Sequence, residues 1–169
     1  MPRDDRRVLL SDGRGVLVRR IHDDDVARLR SFHDGLSAAT VRNRFLSPHP
    51  HLSLEEARHF TDVDEHSRAA VVALDGDRIV GVGRFEPTDV TGCVELGLVV
   101  DDAFQHLGLG SWLLAAVVRL ATLEGHSELT ARVLSSNAPM LRLLLRCGLD
   151  RSVRHGDDVT EVTLVLPPR

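Results

Sequence analysis

The chain has 169 residues, a formal net charge of −4, 43% hydrophobic and 27% charged residues. That is one ordinary globular domain with enough apolar material for a core of its own. No basic block points to nucleic acid. No apolar run approaches the ~20 residues a membrane span needs. The polar, charged start has none of the marks of a signal peptide, so the cytoplasm is the expected compartment. The chain holds no Lys and no Tyr, and its two cysteines, Cys93 and Cys147, lie in apolar surroundings without a CxxC spacing; they are expected as buried free thiols.

In chain order, residues 13–21 (GRGVLVRRI) predict a first strand. Val26, Leu29, Phe32 and Leu36 recur near helical spacing and predict an amphipathic helix over 23–36. Two shorter helices, 40–46 and 53–61, flank the loop SPHPH, and Ser53 with Glu56 forms a capping-box pattern for the second. From Ala69 the period changes. Residues 69–74 and 79–85 predict a hairpin about Asp75-Gly76-Asp77, and 93–100 a third strand. A long helix over 110–123, a strand over 129–134, a helix over 137–147 stopped by Gly148, and two strands near 149–153 and 159–166 complete the order. This is an α/β three-layer pattern: a mixed, mostly antiparallel sheet of about seven strands flanked by helices.

The informative segment is 93–121, CVELGLVVDDAFQHLGLGSWLLAAVVRLA. A hydrophobic strand enters a loop with Gly108 and Gly110 and leaves as a helix. Glycines there admit a ligand close to the backbone, and a helix N-terminus with no acid in its first turn suits a phosphate. Asp101 and Asp102 stand just upstream and fit this only if they point elsewhere. A phosphate loop ending in Gly-Lys is excluded because there is no Lys, and a dinucleotide fingerprint fails because Leu113 stands where its third glycine belongs. Two glycines alone are also consistent with a plain tight turn.

The run Gln105-His106-Leu107-Gly108-Leu109-Gly110 matches the Q/R-x-x-G-x-G/A signature of the GNAT acetyltransferase superfamily, and Ser135-Ser136-Asn137-Ala138-Pro139-Met140-Leu141 is similar to its second cofactor segment. The order of elements resembles that family over nearly the whole chain, taken as one domain: an acceptor-side part about 13–66, an acetyl-CoA-binding part about 69–148, and C-terminal strands 149–169. The resemblance implies acetyl-CoA as co-substrate, lying in a V-shaped opening between two central strands. Backbone groups of His106, Leu107, Gly108, Leu109, Gly110 and Ser111, next to Gln105, would hold the pyrophosphate. Leu98, Val99 and Val100 would run beside the pantetheine arm, with Asn137 and Met140 across from it. Asn137 serves equally well as a helix cap. Gly97 fits a bulge or a close ligand approach. His106 and Leu107 replace a glycine and a cationic or polar residue common in the family.

An amine attacks only when neutral, and a Lys-like amine has a pKa of roughly 10.4, so a general base is needed. Glu95, a carboxylate within an otherwise apolar strand, is the candidate, and burial would raise its pKa toward a useful range. Solvent exposure or an Arg partner is its structural alternative. The family resemblance implies the Leu98 N–H as oxyanion donor. It also implies a Tyr to protonate the leaving thiolate, which is missing here; water, a serine, Cys147 or direct loss of the thiolate must replace it. Direct transfer is preferred over an acyl-enzyme on Cys93.

Residues 41–64 and 94–105 resemble the catalytic domain of bacterial protein-lysine acetyltransferases, without room for the regulatory domains some of them carry. The acceptor is then an amine, a protein lysine or a small molecule, and an acyl-CoA-binding module with little catalysis is the third reading. A homodimer fits as well. Arg42, Arg44 and Phe45 read as groove lining or, preferably, as a solvated helix face with one core Phe. His49 and His51 lack the further ligands a metal needs, and no metal is expected.

Overall fold

In the computed structural model, residues 5–169 are described. The sheet has eight strands: β1 (Arg6–Leu9), β2 (Gly15–Arg20), β3 (Ala69–Asp75), β4 (Arg78–Pro87), β5 (Cys93–Val100), β6 (Glu128–Leu134), β7 (Arg151–His155) and β8 (Val159–Val165), in the order β1-β2-β3-β4-β5-β6-β8-β7. Five helices accompany it: α1 (Val26–Asp34), α2 (Ala38–Phe45), α3 (Leu54–Thr61), α4 (Leu109–Leu123) and α5 (Ala138–Leu145). Every neighbouring pair of strands is antiparallel except β5 and β6.

The hydrophobic pattern explains the layering. β3 is buried from Ala69 to Leu74 and β4 from Ile79 to Phe85, as strands covered on both faces must be. One face packs on α4 through Leu109, Leu113, Val117 and Leu120, with α5 beside it. Gly81 and Gly83 let that helix sit low on the sheet; a Cβ on Gly81 would come within 2.9 Å of Leu113 Cδ1. The other face packs Val72, Ile79 and Val82 against Leu29 and Phe32 of α1 and Ala57 of α3. Ser53 and Glu56 form the predicted capping box at the start of α3.

Two expectations are corrected. β1 precedes the strand predicted to come first: two of its four residues are Arg, Leu9 is exposed and only Val8 is buried, so an edge strand with one inward side chain leaves almost no alternation to read. Cys93 and Cys147 are free but half-exposed. No helix among the described residues is long and apolar enough to cross a membrane.

One buried ion pair locks the start of the helical layer to the sheet. Asp25 is fully buried and accepts from Arg19 of β2 at 2.7 and 2.8 Å, from Arg28 at 3.2 Å and from the His22 N–H at 2.9 Å. Burial pushes the Asp25 pKa up, but the Arg19 and His22 bonds outweigh it and hold the carboxyl below its ordinary value. A depressed carboxyl adds stability above its unfolded pKa of about 3.9, lost as pH falls through the folded value. Asp25→Ala strands the Arg19 charge, so chemical denaturation should show a loss of about 3–5 kcal/mol at neutral pH and a smaller gap from wild type in acid.

Candidate active site

The parallel pairing of β5 with β6 covers only Cys93–Glu95 against Glu128–Thr130. Beyond that, β5 continues to Val100 against β4 alone, and β6 continues to Leu134 against β8 alone. The two strands therefore splay. The Asp101 N–H donates to Val80 at 2.9 Å, which fixes the phase of the β4–β5 ladder. With that phase, the N–H and C=O groups of Leu96, Leu98 and Val100 turn away from β4 toward the gap. A cleft of about 490 Å³ opens there, lined by β5 from Glu95 to Val100, by Arg132 and Val133 of β6, and by residues of α2, α4 and α5.

The loop into α4 closes one end. Asp101 caps its own turn through the Ala103 N–H at 2.8 Å. Asp102 accepts from the Ser37 N–H and hydroxyl and from the Thr40 hydroxyl, at 2.7–3.0 Å, and so pins the start of α2. Burial raises the Asp102 pKa, and the bonds from Ser37 and Thr40 more than reverse it. Both acids are thus occupied away from the helix mouth. Gly108 is the N-cap of α4 in the left-handed region, φ +87°, and offers no side-chain cap. Trp112 is the first residue of this turn to find a helical carbonyl, that of Gly108 at 3.3 Å. The N–H groups of Leu109, Gly110 and Ser111 have no backbone partner among the described residues and give the cleft a positive end.

The residues named from sequence distribute unevenly. Glu95, Leu98, Val100, Gln105, His106, Gly108, Gly110, Ser111, Asn137 and Met140 line the cleft. Leu107 and Leu109 turn their side chains into the core, so only their backbones are available. The Val99 side chain packs in the second hydrophobic cluster. The Gln105 amide donates to Thr40 Oγ1 and to the Val100 carbonyl, both at 3.1 Å, which makes it a brace between β5 and α2. Asn137 Oδ1 caps α5 at the Met140 N–H, 3.3 Å. His106 is exposed and has φ +61°, a value a glycine would take more readily.

Two readings from sequence fail here. Gly97 carries no bulge: the register of β5 on β4 is unbroken. It does mark a close approach, by the chain's own Arg44, whose guanidinium would clash with a Cβ at that position. Arg44 and Phe45 are then not a solvated face; both line the cleft, and Arg42 alone of the three is exposed. Thr40, Asn43, Arg132 and Ser136 also line it and were not anticipated. The spacing of Thr40, Asn43 and Arg44 marks one helix face, a signal present in the sequence but indistinguishable from an outward polar stripe. Cys147 lies outside this cleft, in a separate groove between α4 and α5. His49 stacks on Phe45 and pairs with Glu56 at 3.0 Å. The one cluster of possible metal ligands among the described residues, His22, Asp24 and Asp25, is not part of the cleft and has its central carboxylate committed to Arg19.

A splayed strand pair with free backbone edge groups, ending at an uncapped helix N-terminus, is a site for an acyl group on a long amide-bearing, phosphate-tailed carrier. The comparisons with known proteins give the family. The acetyltransferase (GNAT) family matches residues 35–149, and the chain belongs to it. Acetyltransferase PA5475 of Pseudomonas aeruginosa is 32% identical over 157 residues, covering 90% of this chain and 84% of that protein. The GNAT domain of S. lividans PAT superposes with a TM-score of 0.88 at 29% identity, covering 96% of this chain and 97% of that one. YncA of Salmonella typhimurium, solved with acetyl-CoA, shares the fold with a TM-score of 0.71 at 20% identity over 91% of this chain and 95% of that one. The chain is an acetyltransferase of this family, with acetyl-CoA as co-substrate.

A side chain at position 108 must adopt the left-handed conformation at a cost of roughly 1–2 kcal/mol or pull the loop out of shape. Gly108→Val should therefore weaken CoA binding about tenfold by calorimetry, with a smaller effect on the KM of the acceptor.

Proposed function

We propose that the protein transfers the acetyl group of acetyl-CoA directly to the amine of a protein lysine, with Glu95 as general base. The observation that carries this reading is the position of Glu95. It is the last residue of β5 paired with β6, it lines the cleft where the strands part, and it stands three residues before Leu98. Its carboxylate is half-buried, open to the cleft and to a proton arriving on an ammonium group.

The chain's own groups supply the steps. Glu95 takes the proton that leaves the amine neutral. The Leu98 N–H, on the edge turned to the gap, holds the thioester carbonyl oxygen as its negative charge grows. The N–H groups at the mouth of α4 hold the pyrophosphate, and the edge of Leu98 and Val100 runs beside the pantetheine amides. The leaving thiol has a pKa of about 8.5 and departs as thiolate, so the missing Tyr removes an aid rather than a necessity. An acyl-enzyme is disfavoured. Burial pushes the Cys93 thiol up, away from the reactive thiolate, and neither cysteine lines the cleft.

A lysine on a protein is favoured as acceptor by the likeness to the GNAT domain of S. lividans PAT and by the resemblance of residues 41–64 to protein-lysine acetyltransferases. Thiol release measured over peptide lysines, free polyamines and amino acids tests this. Turnover confined to free amines selects a small-molecule acceptor, and tight CoA binding without turnover on any acceptor selects a binding module. Glu95→Gln should lower kcat by ~10²–10⁴ and leave the Kd for CoA unchanged; an unaltered kcat removes Glu95 as base.

A further inference from the structure

Glu95, Gly97 and Val99 share the face of β5 that looks toward α1–α3, and the guanidinium of Arg44 occupies the space a Cβ on Gly97 would take. Arg84 stands directly across from Gly97 in the β4–β5 register, so two guanidiniums meet on this face. They are treated differently. Arg84 is bound by Glu86, donates to the Phe60 carbonyl at 3.1 Å and lies 4.4 Å from the Phe60 ring centroid. Arg44 has no hydrogen bond and no ion pair among the described residues, only the ring of its neighbour Phe45 at 5.0 Å. Glu95 and Glu86 attract it from beyond contact distance, and Arg84 repels it. Burial and the Arg84 charge lower its pKa to about 10, which still leaves it cationic at neutral pH.

A half-buried cation that lines an open cleft without a protein partner is satisfied by water or by an anion that displaces it. Arg44 lines the cleft beside Leu98, where the acyl carbonyl is proposed to sit. The phosphates are provided for elsewhere, at the mouth of α4. What fits a planar, five-donor fork at this place is a carboxylate. Glu95 and Arg44 then form a complementary pair: a carboxylate base for the amine, and an unpaired guanidinium fork for an anion close to it.

We propose that Arg44 is a carboxylate-binding site beside the reacting thioester, and that it selects reactants carrying an acid near the point of transfer. Two reactants can bring it: a dicarboxylic acyl-CoA, or an acceptor lysine flanked by Asp or Glu. The inference rests on the acyl-transfer reading of the cleft.

Both sources are tested on the intact chain. The acyl arm compares succinyl-CoA with butyryl-CoA. The acceptor arm compares a lysine peptide bearing adjacent Glu with the same peptide bearing Gln, each with acetyl-CoA. kcat/KM and calorimetric affinity are read for wild type, Arg44→Gln, Arg44→Lys and Gly97→Ala, which places a methyl where the guanidinium lies. Wild type should prefer the acidic partner about tenfold or more in one arm, the amount expected of one charge-assisted hydrogen-bonded pair. Arg44→Gln and Gly97→Ala should abolish the preference, Arg44→Lys should keep part of it, and all should bind CoA as wild type does. A wild-type preference under twofold in both arms overturns the proposal, and so does an equal loss on acidic and neutral partners in Arg44→Gln. The wild-type comparison stands even if a variant does not fold, and the affinities stand if no acceptor turns over. Failure of the acyl-transfer reading itself shows separately, as loss of CoA binding by the wild type.

Discussion

Three residue pairs hold β5 to β6, and the site depends on the ladder ending there. Each strand has another neighbour that stays with it for its full length, β4 on one side and β8 on the other. The sheet is in effect two antiparallel halves joined at one end. Gly92 makes the joint: its carbonyl accepts from the N–H groups of Ser127 and Glu128 at 2.9 and 3.1 Å. Past Glu95 the halves part, and the Leu96 carbonyl and the backbone groups of Leu98 and Val100 are left without a strand partner. In most proteins such an edge inside a sheet would be a defect, since buried peptide groups demand hydrogen bonds. Here the edge borders an open cleft, and in the proposed reading an extended amide-bearing chain supplies the missing bonds.

The helical layers fix the opening. α4 is drawn down on the sheet by its apolar face, and its uncapped start comes to the wide end of the gap. Asp102 ties the loop before α4 to the start of α2, and Gln105 bridges the same two places. The α4 end of the cleft and the α2 wall are therefore mechanically joined through Thr40, whose hydroxyl bonds to both Asp102 and Gln105. Arg44, one turn further along α2, reaches Gly97 from that anchored helix. A single short helix thus sets both the cleft wall and the charge beside the proposed reaction centre.

The charges in the cleft are segregated by what holds them. The helix mouth contributes partial positive charge from peptide dipoles and no side-chain cation from the first turn of α4. Glu95 and Arg44 contribute full charges of opposite sign on one face of β5. In the proposed reading this separation lets the carrier's phosphates and the reacting groups be read by different chemistry within one cleft.

The sequence by itself determined every element from Gly15 onward to within a few residues, because buried strands such as β3 and the periodic face of α4 carry their burial in their spelling. It also singled out Gly108, Gly110 and Glu95, whose residue types are unusual for their local setting and which line the cleft. It did not determine β1, an edge strand with one inward residue, nor the neighbourhood of Gly97. That glycine and Arg44 are 53 positions apart in the chain, and nothing local tells a cation on an amphipathic helix that it will lie on a distant strand. Only the tertiary structure decided where β5 and β6 part, and which side chains face the gap, because strand divergence follows from competition among neighbours in the sheet rather than from the propensities of either strand.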